Sequence, residues 1–519
     1  MALLHITLFL SLCAIALCWA ARRFNFPYPI ALVIGGGLLG FMPLAPHLPF
    51  DPELILILVL PPILYQAAML TSWRDFAVSI RTISLLAIGL VVVTTLAVGA
   101  ALKLLVPDIP WAAAFAFGAI VSPPDAVAAT SVLSRMNIPR RVVTVLEGES
   151  LVNDAAGLVL YRFAVAAVLT GTFSLLDAGV QFAGLALGGI ALGIFTGLVF
   201  IIVHRHLGDV FIEVLTSMLV PYVAYAVAES LHASGVLAVV AAGLVRGRHA
   251  PVVVSAEMRI LSRSMWNVMV FLLNILVFVL IGMQLSGSVA RLEEYSAARL
   301  MAEGALLSAV AIIVRFAWVY AALYLPRKLS ASLRNSEVAP PEAEFFIMSW
   351  CGMRGIVSLA AALALPIALA DGTPFPYRDV IIFFTFVIIA VTLVLQGLTL
   401  PALIRRLQVG IDWSLGEEQA NARNAMGRAA RAAIDALARQ DGIAPDLAGR
   451  ISAEFAEKNA AGGADASLPD GHAELARRLR HAAINAERQE LIRIWRDNQI
   501  SDVVLREYEQ GLDYKESHL

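Results

Sequence analysis

Charge is what this chain has least of. Only 15% of its 519 residues are Asp, Glu, Lys or Arg, while 59% are hydrophobic, against roughly a quarter charged in soluble domains. With a mean hydropathy of +0.78, that scarcity excludes an ordinary water-soluble domain and gives an all-α polytopic membrane protein embedded in the lipid bilayer. The net charge of -2, from 38 basic and 40 acidic residues, supplies no field that would draw a nucleic acid. Cysteine is also scarce: Cys13, Cys18 and Cys351 lie in apolar surroundings without CxxC spacing, so neither a disulfide framework nor a zinc site is indicated. The nine histidines form no evident metal cluster with carboxylates. "GESLV" is not GxSxG, and HExxH and a phosphate-binding loop are missing, so the marks of an enzyme or an ATP-driven pump are lacking and no cofactor is expected. The first twenty residues lack the basic start of a signal peptide and are followed by Arg22 and Arg23, which reads as a first spanning helix.

What the chain has instead is long apolar runs. About thirteen can cross some 30 Å of hydrocarbon: 3 to 20, 27 to 45, 52 to 71, 79 to 105, 110 to 134, 143 to 170, 177 to 203, 209 to 230, 233 to 246 (the short one), 264 to 286, 299 to 325, 344 to 370 and 377 to 404. Basic residues test this count, because they gather on the cytoplasmic side. With the N-terminus outside, inside loops hold Arg22, Arg23, Arg74, Arg81, Arg135, Arg140, Arg141, Arg205, Arg246, Arg248, Arg259, Arg263, Arg327, Lys328 and Arg334. Outside loops hold only Lys103, Arg291, Arg299 and Arg378. The alternation predicts a multi-pass protein of the cytoplasmic (inner) membrane, divided into a transmembrane domain over 1–404 and a cytoplasmic helical tail over 405–519. Within the tail, "NARNAMGRAARAAIDALARQ" and "HAELARRLRHAAINAERQELIRIWRDNQI" show helical periodicity on either side of the turn-rich "AAGGADASLPDG". Such a tail either packs on itself or carries regulatory or oligomer contacts.

Thirteen helices divide as six, one and six, and an odd linker inverts the second six, the arithmetic of an inverted repeat. Helix 5 then corresponds to helix 12. Helix 5 is interrupted by Ser122-Pro123-Pro124-Asp125 and helix 12 by Gly352-Met353-Arg354-Gly355. Proline frees a backbone carbonyl, which in lipid is tolerated only where protein or a wet cavity satisfies it. Pro123 and Pro124 beside Asp125, and Gly352 and Gly355 around Arg354, therefore predict two helix breaks at a substrate site; the bland reading is a proline kink with Asp125 paired internally.

Helix 6 carries the polar stretch "EGESLVNDAAGL". Helical spacing puts Glu147, Ser150 and Asp154 on one stripe, and Glu149 with Asn153 on another. A carboxylate in the membrane core needs a partner or an exchangeable ion. Arg354 cannot practically lose its proton, so its carboxylate becomes a fixed pair; Glu149 is assigned to it, leaving Asp154 free to titrate. Burial favours the proton on a carboxylate and a bound cation favours the charge, so proton and small cation compete for Asp154. Ser150, Asn153 and Asp125 supply hard oxygens beside it; alternatively Asp154 merely packs helices. Glu147 is either an interfacial charge or part of a funnel. Arg162, Glu213, Glu229 and Arg315 read as structural pairs.

Taken in order, "SPPDAVAATSVL", "EGESLVNDAAG" and "WCGMRGIVSLAAALALP" make the chain resemble, over about residues 10 to 404, the bacterial monovalent cation:proton antiporters of the sodium/proton exchanger branch. The resemblance implies a thirteen-helix inverted repeat with crossing broken helices. It further implies a homodimer, in which helices 4 to 6 and 11 to 13 move against a dimerisation domain. It implies that Asp154 carries sodium, lithium, potassium or a proton, that Ser150 and Asp125 assist, and that Glu149 pairs with Arg354. Asn153 before Asp154 is similar to electroneutral members, implying one proton per cation. Two departures unsettle the ligand set: Pro124 replaces a Thr common in the family, and Gln66 stands where some relatives place a Glu. Gln66 and Glu147 are accessory candidates. The competing expectation is a channel or uniporter without obligatory proton coupling.

Overall fold

A computed structural model describes residues 2–24, 26–40, 42, 52–133, 136, 138–171, 175–290, 296–329, 341–369, 372–409, 413–456 and 473–519. Arg135, Arg291, Arg334 and the stretch 460–471 lie outside them. Secondary structure among the described residues is helical apart from an isolated bridge between Ala368 and Pro374.

The membrane part begins with α1 (Ala2–Arg23), α2 (Tyr28–Gly40), α3 (Pro52–Leu70) and α4 (Trp73–Leu105). The fifth segment is two half-helices, α5a (Trp111–Val121) and α5b (Ala126–Leu133). Then follow α6 (Arg140–Thr170), α7 (Leu175–His204), α8 (Val210–Ser230), α9 (Gly235–Val253), α10 (Ala256–Ala290) and α11 (Ala297–Leu329). The twelfth is again halved, as α12a (Glu342–Trp350) and α12b (Ile356–Leu363), and α13 (Arg378–Leu407) completes the set. The two breaks fall on Ser122–Asp125 and Cys351–Gly355, where the inverted-repeat arithmetic places them. Eight of the described helices are long and apolar enough to cross a membrane whole; α2, the apolar end of α3 and α5a are shorter.

Several helices outrun their apolar stretches. The 33 residues of α4 extend about 50 Å at 1.5 Å per residue, well beyond the hydrocarbon thickness. The ninth helix, expected to end at 246, continues to Val253, and α10 begins at Ala256. Arg74, Arg81, Arg246, Arg248, Arg259 and Arg263 therefore stand on helix ends rather than in loops. Apolar run length measures only the immersed part, whereas a helix with internal hydrogen bonds can continue into water.

Beside a broad buried apolar cluster that joins α1, α2, α3 and α10 to α5b, α6, α12a, α12b and α13, two smaller ones pack the membrane helices. Val98 and Leu102 of α4, Phe117 of α5a, Val165 of α6, Leu307 of α11, Ala362 of α12b and Phe384 of α13 share one buried apolar cluster. A second cluster joins Tyr65 of α3, Val220 of α8, Val239 of α9 and Trp266 of α10 to Leu151 and Ala155 of α6. α2 and α10 approach at backbone distance: a Cβ on Gly36 would lie 2.4 Å from the Val279 carbonyl, and one on Gly282 2.3 Å from that of Val33, the small-residue contact that membrane helices favour. At the periphery, only 28% of the most apolar windows of α7 and α8 is buried, against 78% for α13, which leaves those two helices the least covered by the rest of the chain.

After α13 come α14 (Trp413–Asp441), α15 (Pro445–Ala456), α16 (Ala473–Arg496) and α17 (Asp502–Ser517). Their apolar stripes close on one another: Met426, Leu491 and Leu505 share one buried cluster, and Ile434, Leu447 and Leu479 another. The tail also seats on the membrane helices. Ser72, the N-cap of α4, donates its hydroxyl to Asp502 at 2.5 Å. Arg74 donates to the carbonyls of Ile500, at 3.1 Å, and Trp495, and lies over the Trp495 ring. Arg259 pairs with Asp513 at 2.5 Å, and Arg140 bridges Asp75 and Glu418.

Candidate ion-binding site

The two helix breaks face each other and satisfy each other's backbone. The Asp125 amide donates to the Met353 carbonyl at 2.6 Å. The Arg354 guanidinium donates to the Val121 carbonyl at 2.9 Å and to that of Gly352, while the Arg354 amide donates to the Thr392 hydroxyl at 3.1 Å. From α6, Asn153 donates to the Pro124 carbonyl at 3.3 Å. Each loosened group so met would cost several kcal/mol left bare in hydrocarbon. Gly355 is where the approach is closest: a Cβ there would fall 1.7 Å from Asp125 Oδ2.

Beside the crossing is a cavity of about 260 Å³. Asp125, Ser150 and Asp154 line it, with Glu147, Pro123 and Pro124, as do Gln66 of α3, Asn274 of α10 and Ser358 of α12b. Asp154 is 6% exposed and within electrostatic reach of Asp125. Asp125 Oδ1 accepts from the Val127 amide at 2.8 Å, which leaves Oδ2 without a hydrogen-bond partner among the described residues. Asn274 Oδ1 and Ser358 Oγ are likewise buried without a partner. Carboxylate, amide and hydroxyl oxygens together form the hard donor set that an alkali cation takes.

The Glu147, Ser150, Asp154 stripe thus faces one cavity. Asn153 is fully buried: its amide nitrogen braces the helix 5 break, and its Oδ1 has no hydrogen-bond partner among the described residues. The Glu149 pair is corrected. Arg315 of α11, not Arg354, takes Glu149 in a two-pronged contact at 2.5 and 2.9 Å, while also donating to the Met348 carbonyl at 2.9 Å. Arg315 is 0% exposed and Glu149 1%. Arg354 is drawn away because the broken helices offer it carbonyls that need donors. The signal for Arg315 was available, since it interrupts the apolar run "SAVAIIVRFAWVYAAL". Asn267 and Asn274 also went unread: seven residues apart, they share a face of α10, one accepting from Gln66 at 3.0 Å and the other lining the cavity. Arg162 and Glu229 form a peripheral pair at 3.2 Å.

The sodium/hydrogen exchanger transmembrane family model matches residues 8–406. An uncharacterised Na+/H+ exchanger of Mycobacterium tuberculosis is 34% identical over 96% of this chain and 93% of its own; the Na+/H+ exchanger YjcE of Escherichia coli is 31% identical over 96% and 94%. A sodium, potassium, lithium and rubidium/H+ antiporter of Bacillus pumilus is 36% identical over 74% of this chain and 59% of its own. Among solved structures, the sodium proton antiporter MjNhaP1 of Methanocaldococcus jannaschii aligns with TM-score 0.62 at 22% identity, over 78% of this chain and 99% of that one, which shows a shared fold. The family model spans most of the chain, and relatives above 30% identity cover nearly all of it: this chain belongs to the sodium/hydrogen exchanger family.

Proposed function

We propose that the protein is a secondary antiporter that exchanges a monovalent cation, sodium or its relatives lithium and potassium, for a proton. The observation that carries this reading is the pairing of Asp154 with the uncommitted Asp125 Oδ2 in one buried cavity among neutral oxygen donors. A desolvated carboxylate keeps either a proton or a cation, so loading one releases the other. The cavity lies between α5, α6 and α12 on one side and α3 and α10 on the other. Movement of the broken helices and α6 against α3 and α10 would carry the site between the two faces. With Asn153 neutral, Asp154 alone exchanges its load, and the exchange is one for one and electroneutral. The chain lies in the cytoplasmic membrane with its N-terminus outside and its tail inside, as the basic helix ends Arg74, Arg246 and Arg259 support, and works as a homodimer.

The test is the response of everted vesicles holding a proton gradient. Adding sodium, lithium or potassium dissipates the gradient in the native protein and leaves it intact in Asp154→Asn. Cation flux without proton movement points to a channel or uniporter instead. A membrane current accompanying exchange in reconstituted vesicles would overturn the one-for-one stoichiometry.

A further inference from the structure

A second cavity, of about 250 Å³, lies between the tail and the tail-side ends of α3, α9 and α10. Gln66 and Leu70 line both it and the ion cavity, so the two adjoin. Its walls are rich in arginine. Arg74 is committed to Trp495 and Ile500, and Arg259 to Asp513. Arg246, Arg248, Arg263 and Arg506 also line it, without an ion-pair partner within 4.0 Å among the described residues.

Arg246 decides what the cavity is for. It is 5% exposed, its Nη1 has no hydrogen-bond partner among the described residues, and its Nη2 reaches only the Met258 sulfur at 3.8 Å. A buried guanidinium left unpaired is strongly unfavourable, and its planar fork fits phosphate oxygens with two parallel bonds. Of the acidic side chains on the same wall, Asp502 is taken by Ser72 and Trp495, while Glu509 stands 3.6 Å from Arg259 and within electrostatic reach of Arg263 and Arg506; Arg246 and Arg248 have no such neighbour on this wall. We propose that this cavity is a binding site for a phosphate-bearing anion, held by Arg246 from α9 and Arg506 from α17, with Arg248 and Arg263 at its rim. Because the wall is shared between membrane helices and tail, the anion joins them. Because it adjoins the ion cavity, and Arg506 lies within electrostatic reach of Glu147, the anion neutralises a positive field that opposes an approaching cation.

The site is tested by titrating the purified full-length protein calorimetrically with inorganic pyrophosphate and, separately, with a short-chain phosphatidylglycerol. Saturable binding of one anion per chain is expected, weakening as salt rises. Arg246→Gln and Arg506→Gln should each weaken it by roughly tenfold or more. Arg248→Gln, at an exposed position that does not threaten the fold, should weaken it less. Arg493→Gln, on α16 and paired with Glu490 and Asp497, serves as the unchanged control, and melting temperatures verify that each variant is folded. Binding of pyrophosphate identifies a soluble anion, and binding of the lipid alone identifies a headgroup. Saturation by neither, or affinity unchanged in folded Arg248→Gln and Arg506→Gln, would overturn the proposal. None of these readouts depends on transport.

Discussion

Glu149 and Asp154 stand five positions apart on one helix, yet their surroundings separate them. Glu149 has both oxygens on Arg315, deep in protein, and an Arg partner cannot be titrated away. Asp154 faces the cavity. Removing the guanidinium by Arg315→Ala strands a buried charge, which costs about 3–5 kcal/mol. The expected outcome is a large fall in folded yield and thermal midpoint. Arg354→Ala, which removes hydrogen bonds to carbonyls but leaves no stranded carboxylate, should cost less stability and more exchange. Equal thermal midpoints for the two variants would contradict the assignment of the pair.

At the level of elements, the two breaks function as one unit, because the amide of one and the carbonyl of the other are joined between Asp125 and Met353. Proline explains why helix 5 breaks, and the glycines explain how closely helix 12 can come. Gly355→Ala would drive a methyl into Asp125 and displace the carboxylate by an ångström or more, a misplacement on the order that costs enzymes about 100-fold. We expect cation exchange in everted vesicles to fall roughly tenfold or more, with the protein still folded. Gly208→Ala, which meets nothing within 4 Å, should be silent, and a comparable loss in both variants would argue against the crossing as the functional unit.

On the scale of the whole molecule, the tail is a helical body seated on the ends of α4 and α10. Glu509 of α17 belongs to the contact with Arg259, and Arg263, Arg488 and Asp513 also face it. Burial, with Asp513 adding to it, pushes the Glu509 carboxyl above its ordinary 4.5 despite the arginines. A carboxyl that binds its proton more tightly when docked makes docking strongest below 4.5 and weaker as pH rises through the raised value. A fluorophore pair on α17 and the start of α4 should therefore report more separation on going from pH 4.5 upward. Glu509→Gln should flatten that change. A signal that moves the opposite way, or one untouched by Glu509→Gln, would exclude this residue as the titrating group.

The sequence by itself determined the membrane class, the order of the spans, both breaks, and the stripe of Glu147, Ser150 and Asp154, because each follows from local rules: apolar run length, proline's missing donor and the helical repeat. It also held the cue to Arg315, as a charge in an apolar run, but not its partner. Which arginine meets Glu149 was decided only by tertiary structure, since α11 brings one guanidinium to the carboxylate while the opened helix ends claim the other. The same holds for Asn153, whose spacing puts it near Asp154 but whose helix face turns to the Pro124 carbonyl. The arginines of α9 and α10 read as topology markers along the chain. Only when α17 closes over them do they come to line a cavity, with Arg259 paired to Asp513 and Arg246 left without an ion-pair partner among the described residues, because a field between distant segments exists only once folding sets their distance.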